Sequence, residues 1–182
     1  MRRSLLLISS LAVLGFTACS DSPDVNTATD EKPIATGASA TQDNILLVDW
    51  TGPFGGVPPF DKMDLAALRP AIEEAMADKL AEIDVITANT DAPTFENTIV
   101  ALERAGAKWD RVSIMRGIWR SNLSSPEFRA IQSEMSPKIS TFRSKITQNE
   151  ALFERVKSVY EGEAAKTLRP DQQRVLQLTY DG

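Results

Sequence analysis

The spacing of apolar residues changes character three times along the chain. Leu5 to Phe16 (LLLISSLAVLGF) is a mainly apolar run of twelve residues. Ser20 to Asp43 is polar, with only Val25 and Ile34 as larger aliphatic residues. Asn44 to Lys62 is apolar again but has no period. From Asp64 onward the spacing is helical. Ile72, Met76, Leu80, Ile83 and Ile86 recur at intervals of 4, 4, 3 and 3, one face of a helix. Pro70 suits the first turn of that helix, where its missing N–H costs nothing.

Asn89-Thr90-Asp91-Ala92-Pro93 stops the first helix, and Thr94 is placed to cap the next. Phe95, Ile99, Leu102, Gly106, Trp109, Val112 and Trp119 read as one second apolar stripe, with Gly106 marking the close approach of a neighbouring helix. Ser125-Pro126-Glu127 is a third start signal, with a cap, a proline and an acid at the positive helix end. Phe128, Ile131, Met135, Ile139, Phe142 and Ile146 follow, and Pro137 inside that run predicts a kink or break. Asn149 caps a short helix carrying Leu152, Phe153, Val156 and Tyr160, and Gly162 ends it. A last segment starts near Pro170 and carries Val175, Leu176 and Leu178. It stops so soon that it reads as an interrupted element. No strand alternation occurs, so residues 64–182 are predicted to form an all-α lobe of helical hairpins whose Met and aromatic stripes are packing. Residues 44–63, with Pro53, Pro58, Pro59, Gly52, Gly55 and Gly56, read as an extended arm pinned by Trp50, Phe54 and Phe60. Asp49 and Lys62 read as solvated there; a Trp-plus-Pro ligand groove is the alternative.

Composition removes several chemistries. The 182 residues contain no histidine and one cysteine. That excludes a Ser-His-Asp triad, a Cys-His dyad, a His/Cys zinc site and an internal disulfide. A net charge of −5 argues against a broad nucleic-acid surface, and no nucleic-acid partner is expected.

The front end reads as an address. Arg2 and Arg3 precede the twelve-residue apolar run, which is too short to cross about 30 Å of hydrocarbon. It fits the core of a secretory signal, residues 1–18. Phe16-Thr17-Ala18-Cys19 then resembles the bacterial lipobox, in which the signal is cut before a cysteine whose sulfur receives diacylglycerol; Phe16 stands where leucine is usual. Cys19 is therefore the expected lipidation site and the expected contact with a membrane. The alternative for a lone cysteine is a buried core thiol. Cleavage would leave 18 basic against 25 acidic residues, a charge of −7. Ser20 after the cysteine favours the outer membrane of a Gram-negative envelope, facing the periplasm. Residues 19–43 read as a disordered tether with a reach of roughly 27 Å.

The carboxylate pairs Glu73/Glu74, Glu82/Asp84 and Glu161/Glu163 lie at helical spacing among Lys and Arg, so they read as solvated helix faces. Glu96 and Asn97 read as capping and inter-helix hydrogen-bonding residues. No residue here is assigned a catalytic, cofactor-binding or metal-ligating role.

Six stretches carry a family resemblance: GPFGGVPPFDK (52–62), LAEIDVITAN (80–89), APTFENTIVALERAG (92–106), MSPK (135–138), ITQNEALFERVKSVY (146–160) and LRPDQQRVL (168–176). In this order they resemble the N-terminal part of the thimet-oligopeptidase-like zinc metallopeptidases, with the bacterial peptidyl-dipeptidases and oligopeptidase A among them. The run GIWRSNLSSPEF (117–128) resembles the members found with lipoprotein signals. The resemblance implies a distal lobe of a larger, two-lobed α-helical peptidase whose lobes flank a deep channel. It implies hydrolysis of short peptides by zinc-activated water, using a His-Glu-x-x-His helix and a downstream Glu. No residue of this chain matches those ligands, so the resemblance implies zinc for the family and none bound by this chain. It implies a truncated product that is catalytically incomplete. A lipid-anchored helical module that binds peptides or a partner protein, and a structural envelope lipoprotein, remain as other classes. A partial lobe should expose an apolar face open to self-association.

Overall fold

The computed structural model describes residues 44–53 and 56–182. The signal peptide at 1–18, Cys19, the tether at 19–43 and Phe54 lie outside the described residues. Among the described residues every regular element is helical, apart from one isolated antiparallel bridge between Thr51 and Val57. The all-α expectation therefore holds.

Helix α1 (Leu68–Ala88) is the spine. At about 1.5 Å per residue its 21 residues run about 32 Å. Pro70 sits in its first turn. Its inward face divides in two. Leu68, Ala71, Ile72, Ala75 and Met76 enter one core; Ile83 and Ile86 enter another, with the half-buried Leu80 between them. The helix ends at Ala88 because Asn89 turns extended, φ −64° and ψ 120°.

Thr94 caps the next element as its sequence suggests. Its hydroxyl accepts from the Asn97 amide at 3.1 Å, and the Asn97 side chain accepts from the Thr94 amide at 2.8 Å. This reciprocal cap satisfies two orphan donors at once. The stretch beyond the cap is not one long helix. A π-helical turn (Phe95–Val100) leads into α2 (Ala101–Arg104), and the chain breaks at Ala105–Gly106 before α3 (Ala107–Asn122). Gly106 has φ +90°, a left-handed conformation that penalises any Cβ. The single stripe expected over 95–119 is thus two helices joined at a glycine turn. The close approach is also present: the aliphatic end of Lys79 from α1 lies over Gly106, and Glu82 accepts from its amide at 2.5 Å.

Helix α4 (Pro126–Thr147) starts where the Ser125 hydroxyl accepts from the Phe128 amide at 3.2 Å. Pro137 does not break it. The proline and Ser133, whose carbonyl loses its donor, both lie on the exposed face, where water can replace the missing bond. Helix α5 (Glu150–Glu161) is capped by Asn149, and α6 (Pro170–Asp181) begins on a proline. Of the apolar residues expected on α5, Leu152 and Val156 are buried, while Phe153 and Tyr160 point outward and Arg155 and Val159 complete the buried stripe. On α6 only Leu176 is fully buried, and Leu178 is exposed.

The first core joins the N-terminal half of α1 to α3 and α4, with Trp109, Met115, Trp119, Phe128, Met135 and Phe142 inside it. The second joins the C-terminal half of α1 to the π-turn, α2, α5 and α6. Ile146 packs against both. The segment before α1 is held on the first core by Leu46 and Leu47, which are buried, while Trp50 is half-buried and Phe60 exposed. Aliphatic anchors do the pinning expected of aromatics. Gly56 is required in this arm: at φ +94° an added Cβ would collide with the Trp50 carbonyl.

Candidate functional site

Arg155 is the one buried charged residue among those described, at 8% exposure. Nη1 donates to the Asn89 carbonyl at 2.6 Å and to the Asp91 carbonyl at 3.4 Å; Nη2 donates to Asn97 Oδ1 at 3.2 Å. Nε–H is buried without a partner. No carboxylate pairs with this guanidinium among the described residues. Its compensation is the C-terminal end of α1, since Asn89 is the residue that ends that helix and the helix dipole is negative there. Asn97 also accepts from the Thr98 hydroxyl at 2.9 Å and donates to the Ala92 carbonyl at 3.0 Å. Arg155 and Asn97 together staple the 89–94 loop between α1, α2 and α5. The hydrogen bonds of Arg155 and Asn97 go to this loop and to each other, which makes the cluster a positioning device.

Two open clefts flank the first core. One of 470 Å³ lies between the cores, with Leu102, Trp109, Phe142 and Ile146 as its apolar part and Lys79, Arg143, Glu103 and Asp110 as its charged part. The other, of 360 Å³, lies at the arm and includes Asp49, Glu74, Lys108 and Arg111. The arm cleft's cations are already engaged. Lys108 meets Asp78 at 2.6 Å and Glu74 at 3.3 Å; the hydrogen bonds it donates to these two raise its pKa. Arg111 bonds the Leu47 carbonyl through Nε and Nη2 at 3.1 and 2.8 Å, and meets Asp49 at 2.8 Å. Asp49 is therefore a partner of Arg111 as well as a solvated acid.

The acids singled out in the sequence divide by role. Glu73 meets Lys138 at 2.5 Å, and this bond raises the lysine's pKa. Glu74 belongs to the Lys108 group, Glu82 caps Gly106, and Glu163 meets Lys166 at 2.7 Å. Asp84, Glu96 and Glu161 are exposed. Asn97 is the capping and inter-helix residue its sequence context suggests. Arg155 is the residue the sequence pattern did not single out. Its signal was available, since Leu152, Arg155, Val156 and Val159 share one face at spacings of 3 and 4. Among the described residues no three His, Cys, Asp or Glu side chains converge as a metal site. With no histidine in the sequence, the donors present do not fit a histidine-ligated zinc.

The outward side of α5 and α6 is aromatic. Tyr160 and Tyr180 stack with ring centroids 4.2 Å apart and planes at 3°, and Phe153 lies 5.8 Å from Tyr180. Phe153 and Leu178 are about half exposed, at 45% and 54%.

The described residues form an all-α lobe with two apolar cores and a buried, loop-positioning arginine. Residues 68–180, more than half of the chain, match the family model "Neurolysin/Thimet oligopeptidase, N-terminal domain", and the chain belongs to that family. It is similar to dipeptidyl carboxypeptidase of Escherichia coli (strain K12), with 30% identity over 140 residues, 77% of this chain and 20% of the relative. It is similar to dipeptidyl carboxypeptidase of Salmonella typhimurium (strain LT2), with 32% identity over 104 residues, 57% of this chain and 15% of the relative. The chain thus spans a fifth or less of the curated relatives it matches. Among the described residues no helix is long and apolar enough to cross a membrane.

Proposed function

We propose that this chain is the N-terminal helical lobe of a zinc-dependent peptidase of the dipeptidyl carboxypeptidase type, one that walls the path of short peptides and performs no chemistry itself. The observation that carries the reading is the match over residues 68–180 in a chain without a single histidine. In the whole enzyme zinc would supply an activated water; among the described residues of this lobe no three donors converge to hold it. The lobe's contribution is rigidity, from the two apolar cores and the Arg155 staple.

We further propose that the chain is exported, cut before Cys19 and lipidated there, with residues 19–43 as its tether at the periplasmic side of the outer membrane. The aromatic face of Phe153, Tyr160 and Leu178 supports a second reading: a surface for a partner chain or a second copy, on which a peptide-binding lipoprotein without enzymatic activity would also rest.

The test of the first reading is turnover of an internally quenched peptide by residues 20–182 with added zinc. The expected result is no cleavage above buffer; chelator-sensitive cleavage overturns it. The anchor is tested by palmitate labelling, which Cys19→Ala should abolish. Labelling unchanged in that variant sinks the lipidation.

A further inference from the structure

The charge on this chain is strongly polarised. Residues 107–147, the α3–α4 hairpin, hold eight Lys and Arg against three Asp and Glu; the other residues hold twelve against twenty-two. A hairpin of charge +5 thus belongs to a chain of charge −5.

The cations of the hairpin are of two kinds. Those facing α1 and the arm are neutralised: Lys108 by Asp78 and Glu74, Arg111 by Asp49, Lys138 by Glu73. Arg116, Arg120, Arg129 and Arg143 have no carboxylate within ion-pair distance among the described residues. Arg120 and Arg143 are also close enough to be felt by Arg116, whereas Arg129 acts on Glu127. Burial and the charges of Arg143 and Arg120 lower the pKa of Arg116. Arg116 and Arg120 are one turn apart on α3; Arg129 and Arg143 are fourteen residues apart on α4, four turns on one side of that helix. Between Arg120 and Arg129 the chain turns over at Leu123–Ser125. There Leu123 is 58% exposed and Arg129 donates to the Ser124 carbonyl at 3.2 Å. An exposed leucine at a helix-hairpin tip, with arginines on both flanking turns, has the chemistry of an interfacial anchor: an apolar tip for the acyl boundary and guanidiniums for phosphates.

We infer that the α3–α4 hairpin is a docking face for an anionic phospholipid surface, with Leu123 at the interface and Arg116, Arg120 and Arg143 over the headgroups. The inference does not depend on the peptidase reading. A tether from Cys19 would raise the local concentration of the face at a membrane but does not create it. The acidic remainder of the chain fixes orientation, because the same field that attracts the hairpin repels the opposite side. An acidic protein surface is the competing occupant. The exposed leucine between the arginines favours lipid.

The test is flotation of residues 20–182, which contain every residue of both cores, with vesicles of phosphatidylcholine alone and of phosphatidylcholine with phosphatidylglycerol. Binding is expected to the anionic vesicles only, weakening as salt shortens the screening length. Each arginine over the surface should contribute about fivefold, so Arg116→Gln/Arg120→Gln/Arg143→Gln should lose about a hundredfold. The exposed pair Arg120→Gln/Arg129→Gln, with circular dichroism as the folding control, guards against misfolding through the half-buried Arg116. Leu123→Asn should weaken binding at constant charge, and Arg174→Gln on α6 should leave it unchanged. Equal binding to neutral vesicles, or anionic binding untouched by both arginine variants, overturns the inference. So does tighter capture by a poly-glutamate resin than by vesicles.

Discussion

The two cores of this lobe are held together by different means. The first, between α1, α3 and α4, is packed from large side chains such as Phe128, Met135 and Met115 at 1% exposure or less, and leaves Trp50 Nε1, Ser113 Oγ and Gln132 Oε1 buried without a partner. The second, between α1, α2, α5 and α6, is built from smaller aliphatic residues and a buried arginine whose hydrogen bonds tie a loop to two helices. One domain thus joins a region stabilised by packing to a region stabilised by polar satisfaction. The first fails chiefly on loss of volume; the second fails also on loss of its arginine's hydrogen bonds.

The sharpest way to break the contrast is from the packed side. Phe128→Ala opens a cavity with no polar consequence and should cost about 4 kcal/mol, read as a lower urea midpoint. Arg155→Ala should come next, at about 3 kcal/mol, because it strands the half-buried Asn89 carbonyl, removes one donor to Asn97 and empties a buried side-chain site. Hydrogen exchange should then show faster opening at 89–97 and in α5, with α3 and α4 little changed. Asn97→Ala removes the side-chain half of the reciprocal cap and one arginine partner, for about 2 kcal/mol in thermal unfolding. Gly106→Ala should cost about 1 kcal/mol, from the left-handed backbone, since the Lys79 end that a methyl group would meet can move aside.

The smallest effect is on pH. Bonds from the Ser125 hydroxyl and from the backbone amide of Glu127 lower the pKa of Glu127, and Arg169 does the same for Asp171. A carboxyl with a depressed folded pKa stabilises above its unfolded value and loses that contribution as pH falls through the folded value. The decline should therefore begin as pH drops below the ordinary carboxylate values of 4.5 and 3.8, visible as a slight fall in melting temperature. Glu127→Gln combined with Asp171→Asn should flatten it.

Much of this was legible in the sequence because the signals were local. The caps at Thr94, Ser125 and Asn149, and the apolar periods of α1 and α4, act within one or two turns. Three features were not, because each is decided by a distant neighbour. Gly106 turns left-handed where Lys79 and Glu82 of α1 receive it. Pro137 leaves α4 intact because its face is open to water. Arg155 is buried only because α1 ends beside it. Phe153 and Tyr160 share apolar character with Leu152 and Val156, and the packing of α1 and the π-turn on α5 puts the second pair inside while the first stacks on Tyr180 of α6. For the candidate site, the absence of histidine was plain from composition, whereas the staple that organises the lobe required the tertiary structure.

The central claim is that this lobe provides architecture without a metal centre. The direct measurement is the metal content of residues 20–182 after zinc loading and gel filtration, by elemental analysis. The account predicts zinc far below one ion per chain, at the level of a histidine-free control protein. Retention of one zinc per chain would contradict it.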